Sequence, residues 1–147
     1  MISDIVRRQL RGAVLLAAMM SFVQSMMGEW TGVVAVAVGA IGLYYLSFAC
    51  HEAGHFVVAR FLGATPVVTM VGVESRPANR TRALWISLAG PVCGATVPLG
   101  CLGITSPMQV VGLRLTAVVL AVNHIAMLLP VFPDGQILKR EIFEEKL

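Results

Sequence analysis

The chain has 147 residues, of which 57% are hydrophobic and only 13% are charged, and its mean hydropathy is +0.82. An ordinary soluble domain carries about twice that charged fraction, so the composition excludes a typical water-soluble globule. The net charge of +3 does not indicate nucleic acid, because the basic residues flank apolar segments instead of clustering on one face. Since a bilayer span takes roughly 20 apolar residues, the length allows about four spans with short connections.

The first apolar stretch runs from about Gly12 to Gly28 and follows three arginines. Ser21, Gln24 and Ser25 weaken it as a membrane span. A secretory signal peptide is the alternative, but the stretch is long for one, and no convincing small-residue cleavage site precedes the next apolar segment. We therefore predict a retained helix.

The second stretch, from Trp30 to about Leu62, begins as an uninterrupted apolar run and becomes polar at His51. A connection over residues 63–82 follows, and its prolines, asparagine and arginines end the span. Within this connection, residues 66–73 are rich in β-branched side chains and predict a short strand or hairpin.

The third stretch, Ala83 to Ile104, is apolar but contains four glycines and two prolines. A lipid-facing helix tolerates so many breakers poorly, so we predict that this one packs against neighbouring helices. Gly90 and Gly94 have the spacing of small residues that permits close helix contact. A fourth stretch runs from about Met108 to Pro130. The charged tail, residues 139–147, is typical of a solvated helix end.

The basic residues predict the orientation of the chain. Residues 1–11 hold three of the eleven, residues 60–82 hold four and residues 139–147 hold three, which leaves only Arg114. With a cytoplasmic N-terminus, four spans place all three segments on the cytoplasmic side, as the positive-inside rule requires. We therefore expect an all-α polytopic membrane protein of about four transmembrane helices with both termini cytoplasmic, located in a bacterial inner membrane.

The most informative motif lies toward the end of the second stretch. His51, Glu52 and His55 form an H-E-x-x-H sequence that contains two of the chain's three histidines. Residues four apart share one face of a helix, so the imidazoles can bind one metal ion while Glu52 reaches a water beside it. The structural alternative is a chance pentapeptide at the polar end of a helix, but ionisable groups in a membrane segment are costly and usually functional. The motif predicts metal-assisted peptide bond hydrolysis, with Glu52 as the catalytic residue.

Two histidines do not complete a catalytic zinc site, which takes three protein ligands and an open position. Asp134, in a Pro-Asp-Gly sequence just past the fourth stretch, is the candidate third ligand. The alternative for this residue is an ordinary turn at a helix end. Because the second and fourth spans both descend toward the cytoplasmic side, His51, His55 and Asp134 are expected at similar depth. We predict one zinc ion (Zn²⁺) per chain, bound by these three residues.

Three motifs together resemble the site-2 protease family of intramembrane zinc metalloproteases. They are His51 to His55 on an apolar helix, Ala89-Gly90-Pro91 in the next span, and Leu129 to Gly135 after the one following. The resemblance covers about residues 40–140 and keeps the motifs in family order. It implies a three-helix core that holds the metal, cleavage of transmembrane segments of other proteins, and an edge strand, here in residues 66–73, for an unwound substrate.

Residues around the ligands also fall in the shared motifs. Four of them are candidates for binding substrate or supporting the ligands: Gly90, Pro91, Pro133 and Gly135. Family members usually carry Asn-x-x-Pro ahead of the Asp-Gly, whereas Met127 stands at that position here, and the stretch before Asp134 is one residue short. Asn123, one helical turn before Met127 on the same face, is a candidate to supply the missing amide.

His124 has three interpretations. It is an accessory metal ligand, a haem ligand paired with a histidine of another span, or a histidine hydrogen-bonded inside the helix bundle, which is the commoner role. The cysteines, Cys50, Cys93 and Cys101, lie in apolar stretches without paired spacing. We therefore predict neither a disulfide framework nor a cysteine metal site.

The predicted organisation is one membrane-embedded protease domain over residues 1–147. Its core covers about residues 30–140, preceded by an extra helix over about 12–28 and followed by the charged tail. The expected partners are the lipid bilayer and a transmembrane segment of a substrate protein, with no nucleic acid; a homo-oligomer stays open.

Two other functions compete with proteolysis. A catalytically inactive membrane adaptor or chaperone of the same fold is favoured only by the missing asparagine motif. A metal or ion carrier requires polar groups along the outer halves of the spans as well, where Asn123 and His124 are nearly alone.

Overall fold

The computed structural model describes residues 2–28, 30–69, 72–75, 79–104 and 111–143. These residues form five α-helices, one short 3-10 helix and one two-stranded sheet. The helices are α1 (Ile2–Met26), α2 (Val33–Phe61), α3 (Arg80–Ile104), α4 (Val111–Ala126) and α5 (Pro133–Phe143), and the 3-10 helix is Trp30–Gly32. The strands are β1 (Val67–Val68) and β2 (Val73–Glu74). The predicted all-α class with a small hairpin is confirmed.

The chain divides into two compact units, each formed by two separate segments. The first unit comprises residues 1–47 and 96–121, and the second comprises residues 48–95 and 122–147. Every residue of the predicted metal site belongs to the second unit.

In the first unit, the polar residue Gln24 of the first apolar stretch has a structural role. Gln24 of α1 is buried, and its side-chain oxygen accepts a hydrogen bond from the backbone N–H of Gly112 at 3.0 Å. This bond satisfies one of the N–H groups that a helix leaves without an internal partner in its first turn, here in α4. Gln24 therefore links α1 to α4 within this unit by a hydrogen bond.

The second unit contains the hairpin. β1 and β2 are antiparallel, with Val67 opposite Glu74 and Val68 opposite Val73, and the N–H of Thr69 donates to the carbonyl of Gly72 at 2.8 Å. The predicted stretch 66–73 thus belongs to a hairpin of two strands over residues 67–74, not to one strand. Residues 70–71, between the two strands, lie outside the described residues.

Among the described residues, two helices, α2 and α3, are long and apolar enough to cross a membrane. Helix α4 is apolar but has 16 described residues, and the predicted start of its stretch at Met108 lies outside the described part. The first stretch forms a helix as predicted, but α1 begins at Ile2, about ten residues earlier than expected. It has 25 residues and is not among the candidate spans found in the described residues.

Some boundaries differ from the predicted ones. Helix α3 already begins at Arg80, so the polar connection is shorter than predicted. Helix α5 begins at Pro133 and includes residues 139–143 of the charged tail, whereas residues 144–147 lie outside the described chain.

Candidate metal centre

Helices α2 and α5 bring three potential ligand atoms together. His51 Nε2 and His55 Nε2, one turn apart on α2, are 3.1 Å from each other. Each also lies 3.4 Å from an oxygen of the Asp134 carboxylate. Tetrahedral coordination with bonds of zinc length separates ligand atoms by about 3.3 Å, so this spacing fits the donor set. The three residues could hold a metal ion, as the sequence predicted.

The Asp134 carboxylate stands at the start of a helix. Pro133 is the first residue of α5, a position where the missing N–H of proline costs nothing. Asp134 lies in the first turn, where the helix dipole favours a negative charge. The sequence Pro-Asp-Gly is therefore a helix beginning here, and not the isolated turn that was its alternative.

The backbone around Asp134 is fixed by short contacts. Gly135 donates its N–H to the carbonyl of Met127 at 3.1 Å. A Cβ at Gly135 would collide with the carbonyl of Leu129, so only glycine allows this approach. From α3, the buried hydroxyl of Ser87 donates to the backbone carbonyl of Asp134 at 2.9 Å. These bonds hold the carboxylate toward the two imidazoles.

The electrostatics of Asp134 favour its ionised form. Burial alone would raise the pKa of this carboxyl, but the adjacent imidazoles of His51 and His55 more than offset that effect and lower the pKa to about 2. A carboxylate is the form that binds a metal ion.

His55 is held by α3. Its Nδ1–H donates to the backbone carbonyl of Ile86 at 2.7 Å, which leaves Nε2 directed toward the other ligands. Gly90 gives the imidazole its space, because a Cβ there would collide with the ring. At Gly54, between the two histidines, a Cβ would lie 2.5 Å from the carbonyl of Ala89. Glycines on both helices thus permit the close contact of α2 and α3.

His51 contacts the third histidine of the chain. Its Nδ1 lies 3.3 Å from Nδ1 of His124, which is buried on α4. The structure thus places His124 in the bundle and in contact with a predicted ligand residue.

Glu52 lies on α2 beside the hairpin. Its Oε2 accepts a hydrogen bond from the backbone N–H of Val73 in β2 at 2.8 Å. The adjacent Gly72 has a φ of +148°, and a Cβ at this position would be 2.8 Å from the same oxygen. The hairpin therefore holds the carboxylate that the sequence predicted to be catalytic.

A cavity of about 680 Å³ opens beside the ligands. His55 and Asp134 line it together with Val73 of β2, Ser87 of α3 and Arg140 of α5. It is large enough for several residues of an extended peptide next to the imidazole and the carboxylate.

The remaining predicted residues take different positions. Pro91 is buried in α3 next to Gly90, and Pro133 begins α5. Asn123 is half-buried on α4, and no hydrogen bond joins its side chain to the ligands among the described residues. Its role stays a prediction. Within the described part of the chain, Cys50, Cys93 and Cys101 form no disulfide.

Three supporting groups were not predicted from the sequence: Ser87, the carbonyl of Ile86 and the amide of Val73. Only Ser87 offers a signal in the sequence, as a hydroxyl in an apolar helix three residues before Gly90.

Comparisons of the chain with protein-family models, with curated proteins and with solved structures find no match.

Proposed function

We propose that the chain is an intramembrane zinc metalloprotease of the site-2 protease type, which hydrolyses peptide bonds in or near transmembrane segments of other membrane proteins. The observation that carries the proposal is the convergence of His51, His55 and Asp134, with Glu52 next to the first histidine. Two helices supply these groups from sequence positions about 80 residues apart, and a metalloprotease needs the same set.

The donor set favours zinc. Two imidazoles and one carboxylate match the ligand types of zinc hydrolases, in which a fourth position stays open for water and substrate. The cavity beside His55 and Asp134 leaves room on that side of the trio. A zinc ion bound there would act as a Lewis acid toward a peptide carbonyl and would lower the pKa of a bound water to about 7.

Glu52 is the proton-transfer group of the proposed reaction. Its carboxylate accepts a proton from the attacking water and passes it to the leaving amine. The hydrogen bond from Val73 to Oε2 orients the side chain and leaves Oε1 available for this transfer. His51, His55 and Asp134 serve only as metal ligands in this scheme.

The surface of α2 supports a membrane location. Its most apolar window has a mean hydropathy of 2.1, yet only 17% of that window is buried, whereas a core helix of a soluble protein is mostly buried. Large apolar side chains such as Val34, Val38, Leu46 and Val57 are exposed along it. Such a surface requires lipid or another apolar partner. We propose four membrane spans, formed by α1 to α4, with both termini in the cytoplasm.

The hairpin is the proposed docking edge for substrate. A transmembrane helix must unwind locally before hydrolysis, because its carbonyls are held in backbone hydrogen bonds. The unwound segment can then pair with a strand edge. Val67 and Val68 in β1 are 60% and 70% exposed, and Val67 also lines the cavity.

The proposal is tested by a cleavage assay with purified protein in liposomes. A panel of single-span peptides is incubated with the chain, with and without a zinc chelator and after zinc is restored. We expect cleavage of at least one peptide, its loss with chelator and its return with zinc. Zinc binding without cleavage of any peptide would favour the adaptor, and zinc movement across the bilayer would favour the carrier.

A further inference from the structure

His124 of α4 contacts the nitrogen of His51 that lies outside the ligand trio. His51 Nε2 faces His55 and Asp134, whereas its Nδ1 lies 3.3 Å from His124 Nδ1. We infer that His124 is a positioning residue: its Nδ1 accepts a hydrogen bond from Nδ1–H of His51 and holds the His51 ring with Nε2 toward the metal. This inference rests on the proposed zinc centre.

The positions of the protons follow from metal-ligand chemistry. A nitrogen that binds zinc offers its lone pair, so a neutral His51 that binds through Nε2 carries its proton on Nδ1. That N–H points to an acceptor, and His124 Nδ1 is the ring nitrogen in reach. For Nδ1 to accept, a neutral His124 carries its own proton on Nε2. The contact therefore selects one tautomer for each ring.

The other histidine ligand has an equivalent outer partner. His55 donates its Nδ1–H to the backbone carbonyl of Ile86 at 2.7 Å. Metal-binding histidines usually donate their second N–H in this way, and the acceptor fixes both tautomer and ring orientation. The acceptor for His55 is a backbone carbonyl. The proposed acceptor for His51 is a side chain, which mutation can change.

The surroundings confine the His124 ring. The residue is 1% exposed, and a Cβ at Gly94 of α3 would lie 2.5 Å from its Cε1. Phe48 packs near both imidazoles, with ring centroids 5.8 Å from His51 and 6.4 Å from His124. Burying an imidazole costs free energy that an apolar residue of similar size would not. A ring that is both buried and confined is suited to orienting its neighbour.

The test replaces His124 with two side chains of similar shape. In His124→Asn, Oδ1 stands two bonds beyond Cβ, as Nδ1 does in histidine, and can accept the same hydrogen bond. In His124→Leu, a methyl group takes that place and no acceptor remains. Zinc affinity is measured by competition with a chromophoric chelator. We expect His124→Leu to lose about 10- to 100-fold in affinity, and His124→Asn to recover most of this loss.

Thr116→Val is the matched control on the same helix. It also exchanges a buried polar side chain for an apolar one, and it removes only the hydroxyl bond to the carbonyl of Gly112 within α4. We expect this variant to keep the zinc affinity of the unchanged chain. An equal loss in Thr116→Val and His124→Leu would indicate disturbed packing of α4 and would overturn the inference.

A second measurement does not depend on whether a variant folds. The chain has three histidines, so selective ¹⁵N labelling of their rings gives few signals to assign. In the zinc-loaded unchanged chain, we expect Nδ1 protonated in His51 and His55, and Nε2 protonated with Nδ1 free of a proton in His124. A proton on Nδ1 of His124 would overturn the inference.

The outcomes separate this inference from the proposed function. A chain that binds zinc and cleaves peptide, and whose affinity is unchanged in His124→Leu, leaves the protease proposal intact and removes the role of His124. A chain that binds no zinc overturns both.

Discussion

The Glu52 carboxylate accepts a hydrogen bond from the backbone N–H of Val73, which lies 21 residues further along the chain. Because Thr69 and Gly72 are hydrogen-bonded, the next pair of the hairpin, Val68 and Val73, directs its backbone groups outward. The N–H of Val73 is therefore committed to the helix carrying the proposed metal ligands and takes no part in pairing the two strands. This one backbone group links the hairpin to the proposed proton carrier.

Removing that N–H tests the link. Val73→Pro takes away the donor without taking a hydrogen bond from the strand pair. Since a hydrogen bond to a charged group contributes about 1.5–3 kcal/mol, we expect cleavage to fall by about tenfold or more while zinc affinity stays unchanged. Val73→Ala, which keeps the N–H, is the control. Equal cleavage by both variants would show that the hairpin does not orient Glu52.

Glu52→Gln tests the proton carrier itself. The amide oxygen can still accept the hydrogen bond from Val73, but the side chain no longer takes up a proton from water. We expect cleavage to fall by about 10²- to 10⁴-fold, with one zinc ion still bound per chain. Glu145→Gln makes the same exchange in the charged tail and is the matched control. Substantial turnover by purified Glu52→Gln would exclude Glu52 as the base.

Two glycines of α3 allow a matched test of the space around His55. A Cβ at Gly90 would collide with the His55 ring, whereas a Cβ at Gly100 meets nothing within 4 Å. We expect Gly90→Ala to lower zinc affinity by about 10- to 100-fold, as other changes that disturb ligand orientation do. Gly100→Ala should leave it unchanged and stabilise the helix by about 0.5–1 kcal/mol. The same zinc affinity in both variants would show that the space at Gly90 is not needed.

Replacing Ser87 tests whether its hydroxyl helps to place the Asp134 carboxylate. Its hydroxyl donates to the backbone carbonyl of Asp134, so Ser87→Ala leaves that carbonyl without this donor. We expect zinc affinity to weaken several-fold, since a bond of this kind contributes about 0.5–1.5 kcal/mol. The control is Ser25→Ala, which loses only a local hydrogen bond to Phe22 in α1. If both serine variants bind zinc alike, Ser87 has no part in placing Asp134.

The helices and the histidine pair could be predicted because their signals are local. Long apolar stretches mark α2 and α3, and the spacing within the motif places His51 and His55 on one helical face. Asp134 followed from counting basic residues, which predicted the same depth for the ends of two helices. The structure brings its carboxylate to the histidines as expected.

The supporting contacts could not be predicted, because they join a side chain to a backbone group of a distant segment. The Ile86 carbonyl and the Val73 amide belong to apolar residues whose type gives no sign of these bonds. Gln24 is a similar case: in the sequence it only weakens an apolar stretch, but its partner is the amide of Gly112, 88 residues away. The role of His124 also depended on how α4 packs against α2.

The most direct test of the central claim is the zinc content and zinc X-ray absorption spectrum of the purified chain. The account predicts one zinc ion per chain, with two imidazole ligands and the remaining donors oxygen, and loss of this zinc in His51→Ala, His55→Ala and Asp134→Ala. Failure to bind zinc when it is supplied at neutral pH would contradict the account. A zinc ion that persists unchanged in Asp134→Ala would also contradict it.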